Sequence, residues 1–207
     1  MESLQYAVRR DSSVATARLN PDFRYLRATI DGRVALLVLG YVDQHPQGPI
    51  EVWYSAEREV LRLQNGRIVG ATGLTTEWRN VSFPTLPSWS VLERTEGAFR
   101  WVRERDVMPG YRFGIRDPLA LRVSTVPSKS ALQGVDPKSL RWFEELTEFD
   151  ARVKQRDEEK DLTPAIYAVA FSGSTEKVVY GEQCLTRTLC FSWQVWPVTQ
   201  QTATDGR

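Results

Sequence analysis

Carboxylates are the most numerous groups in this chain that could do acid/base chemistry, with 26 Asp and Glu against 27 Lys and Arg. Asp43 with Glu51, and Glu57 with Glu59, lie close enough in sequence to be paired, and glycoside cleavage needs two carboxyls about 5–9.5 Å apart. At this abundance such neighbours arise by chance, and Glu144-Glu145 would point to opposite faces of a strand. A serine-hydrolase arrangement would rest wholly on His45, the sole histidine. That residue sits in Asp43-Gln44-His45-Pro46-Gln47-Gly48-Pro49, which reads as a solvated loop. Gly70-Ala71-Thr72-Gly73 has glycines but neither the lysine nor the spacing of a phosphate loop. It reads instead as the end of a strand where backbone bends or packs closely. The expectation is a protein without catalytic residues, metal or cofactor.

The two cysteines, Cys184 and Cys190, flank a polar Thr-Arg-Thr tip and are bordered by apolar residues on both sides. Two strands folding back on each other would bring the sulfurs near the turn, where a disulfide needs Cβ atoms about 3.5–4.5 Å apart. Closing so short a loop stabilises the fold by about 2.4 kcal/mol in the loop-entropy model. Such a bond persists in an oxidising compartment. Two reduced thiols, or a redox pair, is the alternative; His45 is too remote in sequence to make a metal site of them.

Tryptophans offer flat apolar faces with an indole N–H as a polar handle, and there are seven. Core packing is the ordinary role of each. Trp78 and Trp89 lie in an irregular, proline-bearing region and are the ones expected to be exposed. Trp193 and Trp196 differ in parity along a strand, so at least one is expected to face outward. These four are the candidates for binding a glycan or a partner.

The elements that position these groups are mostly strands. Asp31-Gly32 between Phe23 to Ile30 and Arg33 to Val42, and Asn65-Gly66 between Glu59 to Gln64 and Arg67 to Ala71, are hairpin turns that accept positive φ. Val34 to Tyr41 is apolar on both faces and reads as a central strand. Val81 to Val91 carries two prolines and reads as a crossing or edge segment. Glu96 to Asp106 and Tyr111 to Val126 read as extended, with Met108-Pro109-Gly110 turning between them, and Ser128 to Pro137 as a polar connection. Residues 140–149 fit a strand slightly better than a helix. Lys154 to Asp161 reads as a charged loop. Ala165 to Phe171, Lys177 to Cys184 and Leu189 to Val198 complete the strands. The fold class expected is mostly β, an antiparallel sandwich or open barrel with little helix. One domain over 1–198 is followed by a disordered tail over 199–207.

Near-balanced charge gives no general drive toward nucleic acid or anionic membrane, and no apolar run is long enough for a membrane helix. The first residues do not have the form of a signal peptide, so an exported precursor would begin earlier.

Arg24-Tyr25-Leu26-Arg27, Asp31-Gly32-Arg33, Val38-Leu39-Gly40-Tyr41, Val52-Trp53-Tyr54-Ser55, Asn65-Gly66-Arg67-Ile68-Val69, Thr72-Gly73-Leu74 and Val179-Tyr180-Gly181-Glu182-Gln183-Cys184 with Cys190-Phe191-Ser192-Trp193-Gln194 follow in an order that resembles the YjbF/GfcB family of bacterial lipoproteins. The resemblance implies a role with capsule or exopolysaccharide export and a place on the periplasmic side of the outer membrane. It also implies a lipid anchor on the precursor, although this chain has no lipobox and no cysteine before Cys184. The family brings no catalytic residues to transfer. The function this implies is a non-catalytic accessory that binds an outer-membrane polysaccharide secretion protein, with exposed sheet edges suited to strand addition. A glycan-binding module using exposed tryptophans is the alternative, and a carboxylate-dependent polysaccharide-modifying enzyme a third reading.

Overall fold

Gly-bearing turns and alternating side chains divide the chain into twelve antiparallel strands in a computed structural model that describes residues 14, 18–30, 32–148 and 162–198. The charged loop at 154–161 and the tail at 199–207 lie outside the described residues. The strands are β1 Tyr25–Ile30, β2 Arg33–Asp43, β3 Ile50–Tyr54, β4 Val60–Gln64, β5 Arg67–Thr72 and β6 Glu77–Ser82. After a short helix, α1 Trp89–Arg94, come β7 Phe99–Met108, β8 Arg112–Ser124, β9 Arg141–Thr147, β10 Ala165–Ser172, β11 Thr175–Cys184 and β12 Cys190–Trp196. The mostly-β expectation holds.

Each strand pairs with the next, and β12 returns to β1 from Tyr25↔Trp196 to Ile30↔Phe191. The sheet therefore closes on itself, which neither an open barrel nor a sandwich does. Closure removes the sheet edges expected to serve strand addition, because both sides of every described strand face a neighbour. The thinnest seam is β5–β6, registered through Ala71↔Trp78 alone.

The turn chemistry is as expected. Asn65 and Gly66 sit at φ 47° and 74° between β4 and β5, the left-handed region that a two-residue hairpin requires. Any side chain at Gly66 would also strike Val178, whose Cβ lies 2.4 Å from where the new Cβ would stand. Ile30 of β1 lies opposite Arg33 of β2 and Gly32 is at φ 74°, while Asp31 lies outside the described residues.

Inward-facing residues form one apolar cluster, including Leu26, Leu37, Trp53, Leu61, Phe143, Tyr167, Phe191 and Trp193. Burying each such side chain stabilises the fold by about 1.5–3 kcal/mol before ordering entropy is charged against it. Within 140–149, Arg141–Thr147 form the strand β9, with Trp142 and Phe143 buried on opposite faces, and residue 149 lies outside the described residues. The outward-facing Trp142 and Tyr180 are covered by the connection after β8, which packs Ala131 and Leu132 onto them. That strap is tied by the Ala131 amide donating to the Tyr180 hydroxyl at 2.8 Å. Gln194 fixes it further, accepting from the Gln133 amide at 2.9 Å and donating to the Gln133 carbonyl at 2.6 Å.

The stretch read as a crossing segment holds the end of β6 and then α1. Six residues are too few to hold a helix alone. The Ser88 side chain caps it by accepting from the Val91 amide. The carboxylate of Glu176 on β11 then accepts from the Trp89 and Ser90 amides, each at 2.8 Å.

Candidate functional site

Three of the four candidate tryptophans are inside. Trp78 and Trp89 are fully buried and Trp193 nearly so, whereas Trp196 keeps partial exposure. The expected exposure of Trp78 and Trp89 is thus corrected, and the reason lies in their partners. The Arg103 and Arg105 guanidiniums stand 4.5 and 5.0 Å from the Trp78 ring. Arg67 lies 3.9 Å over Trp89 and 4.8 Å over Trp101, a geometry in which the ring face attracts the cation. The Trp89 indole N–H donates to the Asn65 carbonyl and side-chain oxygens at 3.2 and 3.1 Å. Trp193 packs over Gly181, where a Cβ would stand 2.4 Å from the ring. Proline-bearing irregularity here marks a segment folded into the barrel, with no indole face left for a ligand.

These arginines belong to an interior ionic cluster that sequence reasoning did not find. Alternation along β7 turns Arg103 and Arg105 inward beside Trp101 and Val107, facing Asp117 across the β7–β8 ladder. Asp117 Oδ2 accepts from Arg103 Nε at 2.9 Å and from Arg105 Nε at 2.6 Å. Burial pushes the Asp117 pKa up, but the two guanidiniums outweigh it and hold the carboxyl below its ordinary range. Glu145 on β9 shares the cluster with a longer contact, 3.8 Å to Arg103. Its pKa is raised by burial, against the pull of Arg103 and Arg67. The void beside Arg103, Glu145 and Gln183 is about 10 Å³, room for a water and nothing larger. The side chains of the cluster are 2–3% exposed and closely packed among the described residues.

The carboxylate pairs proposed from sequence are not brought together as acid/base pairs. Asp43 faces Arg62 at 3.3 Å and Glu51 faces Arg24 at 2.5 Å. Glu57 lies 3.8 Å from Arg33, and Glu59 accepts from the Ser55 hydroxyl. Glu144 is engaged on the outer wall by Arg122 at 2.8 Å while Glu145 points inward, as strand alternation requires. His45 Nδ1 accepts from the Gln47 amide at 3.2 Å and lies 3.0 Å from Gln64 Nε2, so it shapes its own loop. Among the described residues no cluster of His, Cys, Asp and Glu could hold a metal. Cys184 and Cys190 are directly opposite in the β11–β12 ladder and are bonded.

Surface features among the described residues include a groove and a hairpin tip. A groove of about 280 Å³ lies between β1, β3, β4, β11 and β12, with Leu26, Leu63, Val178 and Trp193 as floor. Its charged lining is largely committed, Arg24 to Glu51 and Glu176 to the helix amides. The second is the tip of the β7–β8 hairpin, where Tyr111 and Phe113 are 75% and 67% exposed. Tyr111 belongs to the turn, and Phe113 is the second residue of β8. Tyr111 holds φ 49° between Gly110 and the strand, a backbone region that bulky residues rarely occupy. The Gly114 amide donates to Asp106 at 2.9 Å and pins the hairpin below the tip. Val107 to Arg116 contains no acidic residue. Two aromatics directly after Met108-Pro109-Gly110, a turn, are the signal of this tip in the sequence.

Known proteins agree with this architecture. No curated protein matches the sequence. A crystal structure of the hypothetical lipoprotein YmcC from Escherichia coli superposes with a TM-score of 0.60 at 13% identity, covering 87% of this chain and 90% of that one; at that identity the likeness shows a shared fold. No helix among the described residues is long and apolar enough to cross a membrane. The family model for the group 4 capsule polysaccharide lipoprotein GfcB, YjbF matches residues 15–155, and the chain belongs to that family.

Proposed function

We propose that the protein is a non-catalytic accessory of capsule polysaccharide export that acts by binding a secretion partner at the periplasmic side of the outer membrane, its precursor carrying the lipid anchor. Membership of a capsule polysaccharide lipoprotein family is the observation that carries the role. The mode of action follows from the surface. With the ring of strands closed, a partner has no sheet edge to extend among the described strands. The β7–β8 tip instead presents two exposed aromatics, the residue type that anchors interfaces. The interior ionic cluster is buried, and the acidic side chains singled out in the sequence face cations or a hydroxyl, which supports a binding role over catalysis.

The test is the double substitution Tyr111→Ser with Phe113→Ser in the lipidated precursor, expressed in its own envelope. Both side chains are exposed, so folding should be unchanged. Surface polymer should fall several-fold and the co-purifying secretion protein should be lost, with synthesis of the repeat unit intact. Full surface polymer in the double variant would exclude the tip as the binding surface. Polymer cleavage by the purified protein that disappears on changing one Asp or Glu would overturn the non-catalytic reading.

A further inference from the structure

A second aromatic surface lies on the outer wall of β2–β4, and its construction is unusual. Leu39 is opposite Trp53 and turns into the core, so unbroken alternation would carry Tyr41 inward too. A bulge between Leu39 and Tyr41 leaves Gly40 unpaired and shifts the register, so that Tyr41 comes opposite Val52 on the outer face. Tyr54, two residues beyond Val52, shares that face. Bulges of this kind re-aim a side chain and recur beside functional sites. Gly40 also makes room: a Cβ there would stand 2.4 Å from the Tyr54 ring. The outcome is two tyrosines, 49% and 39% exposed, with ring centres 6.4 Å apart.

Beside them on the same face is the Asp43–Arg62 pair at 3.3 Å, both side chains partly exposed. The stem of Arg62 crosses Gly70, whose added Cβ would lie 3.0 Å from Arg62 Cδ. The four groups feel one another. Partial desolvation, then the Tyr41 hydroxyl and the Asp43 carboxylate, push the Tyr54 pKa up, with Arg62 opposing. Tyr54 therefore stays a neutral hydroxyl donor at physiological pH.

We propose that Tyr41, Tyr54, Asp43 and Arg62 form a binding platform for pyranose units of a polysaccharide. A sugar ring has an apolar C–H face that stacks on an aromatic ring and vicinal hydroxyls at its rim. Those hydroxyls can donate to the Asp43 carboxylate while accepting from the terminal nitrogens of Arg62, whose Nε is buried, and the Tyr41 and Tyr54 hydroxyls add further partners. Unlike the β7–β8 tip, whose stretch from Val107 to Arg116 carries no carboxylate, these two rings, tilted 39° to each other, stand beside a carboxylate and a guanidinium that can hydrogen-bond sugar hydroxyls. The platform extends the accessory role proposed above and rests on it only for the source of the glycan.

Affinity electrophoresis through gels containing the cell's own purified surface polymer tests it, with dextran gels as the control. Wild-type protein should be retarded by the surface polymer, and Tyr41→Ala with Tyr54→Ala should weaken retardation by about tenfold or more, which is about 1.4 kcal/mol. Gly40→Ala, which displaces the Tyr54 ring without removing it, should also weaken binding. The tip variant Tyr111→Ser with Phe113→Ser should bind polymer normally. Wild-type protein that migrates freely overturns the platform and leaves the accessory role standing. Retardation unchanged in the tyrosine variant places glycan binding elsewhere and overturns it as well. Loss of a co-purifying protein with polymer binding intact makes the surface a protein interface, the third outcome against it.

Discussion

The interior of this barrel and its outer wall use the same charged residue types to different ends. Inside, Arg103 and Arg105 converge on one carboxylate, Asp117, with all three side chains almost fully buried. Outside, Arg122 meets Glu144 and Arg100 meets Glu148 with their charged groups in water. A buried pair is expensive to form and destructive to break, while an exposed pair contributes little either way. The inner charges thus fix the geometry of β7–β9, and the outer ones leave the wall polar and free to be remodelled.

The sharpest way to break this comparison is Asp117→Asn, which leaves two buried guanidiniums facing a neutral amide. It should destabilise the protein by about 3–5 kcal/mol in denaturant unfolding. Asp117 titrates below its ordinary value when folded, so its contribution is present above the unfolded carboxylate pKa and is lost as pH falls through the lower native one. Glu145 has the opposite sign. Its raised native pKa makes its stabilisation complete below the unfolded value and lost as pH rises through the native one. A loss under about 1 kcal/mol for Asp117→Asn would show that the interior cluster behaves like a surface pair.

Arg67 sharpens the same contrast. Its three guanidine nitrogens are buried and make no hydrogen bond among the described residues, and burial holds its pKa down. Stacking on Trp89 and Trp101 returns about 2 kcal/mol, less than the several kcal/mol of desolvation. Arg67→Met, close in shape, should therefore be neutral or stabilising by about 1–3 kcal/mol. A strong loss would mean that the aromatic cage holds the cation better than this balance allows.

The smallest effect is expected on the outer wall. A double-mutant cycle on Arg122 and Glu144, directly opposite across β8–β9, should give a coupling of about 0.2–1 kcal/mol that fades with added salt.

What could be read in the sequence follows from the range of the interactions. Asn65-Gly66 encodes its turn within two residues, and Cys184 and Cys190 are brought together by one hairpin, so both were legible. The strand at 141–147 was only narrowly so, because Trp142 and Phe143 are apolar on opposite faces and blur the alternation. Helix α1 was missed because its second cap, Glu176, lies 87 residues from Trp89. The tryptophans were misplaced for the same reason: the guanidiniums that receive Trp78 and Trp89 come from β7 and β5, and no local pattern announces them. Ring closure is likewise unreadable locally, since β1 and β12 look the same whether or not they meet. Tyr41 needed the register of β2 on β3, which a lone Gly40 hints at without specifying.

That meeting of the first and last strands has a consequence for the order of events in folding. One flank of β1 finds its partner only in β12, after most of the chain has been threaded. Pairings so distant in sequence form slowly, because the intervening chain must be confined before the contact repays it. An amino-terminal fragment ending anywhere before Cys190 leaves that flank of β1 bare, and the nascent chain remains unfinished and adhesive until its final strand arrives.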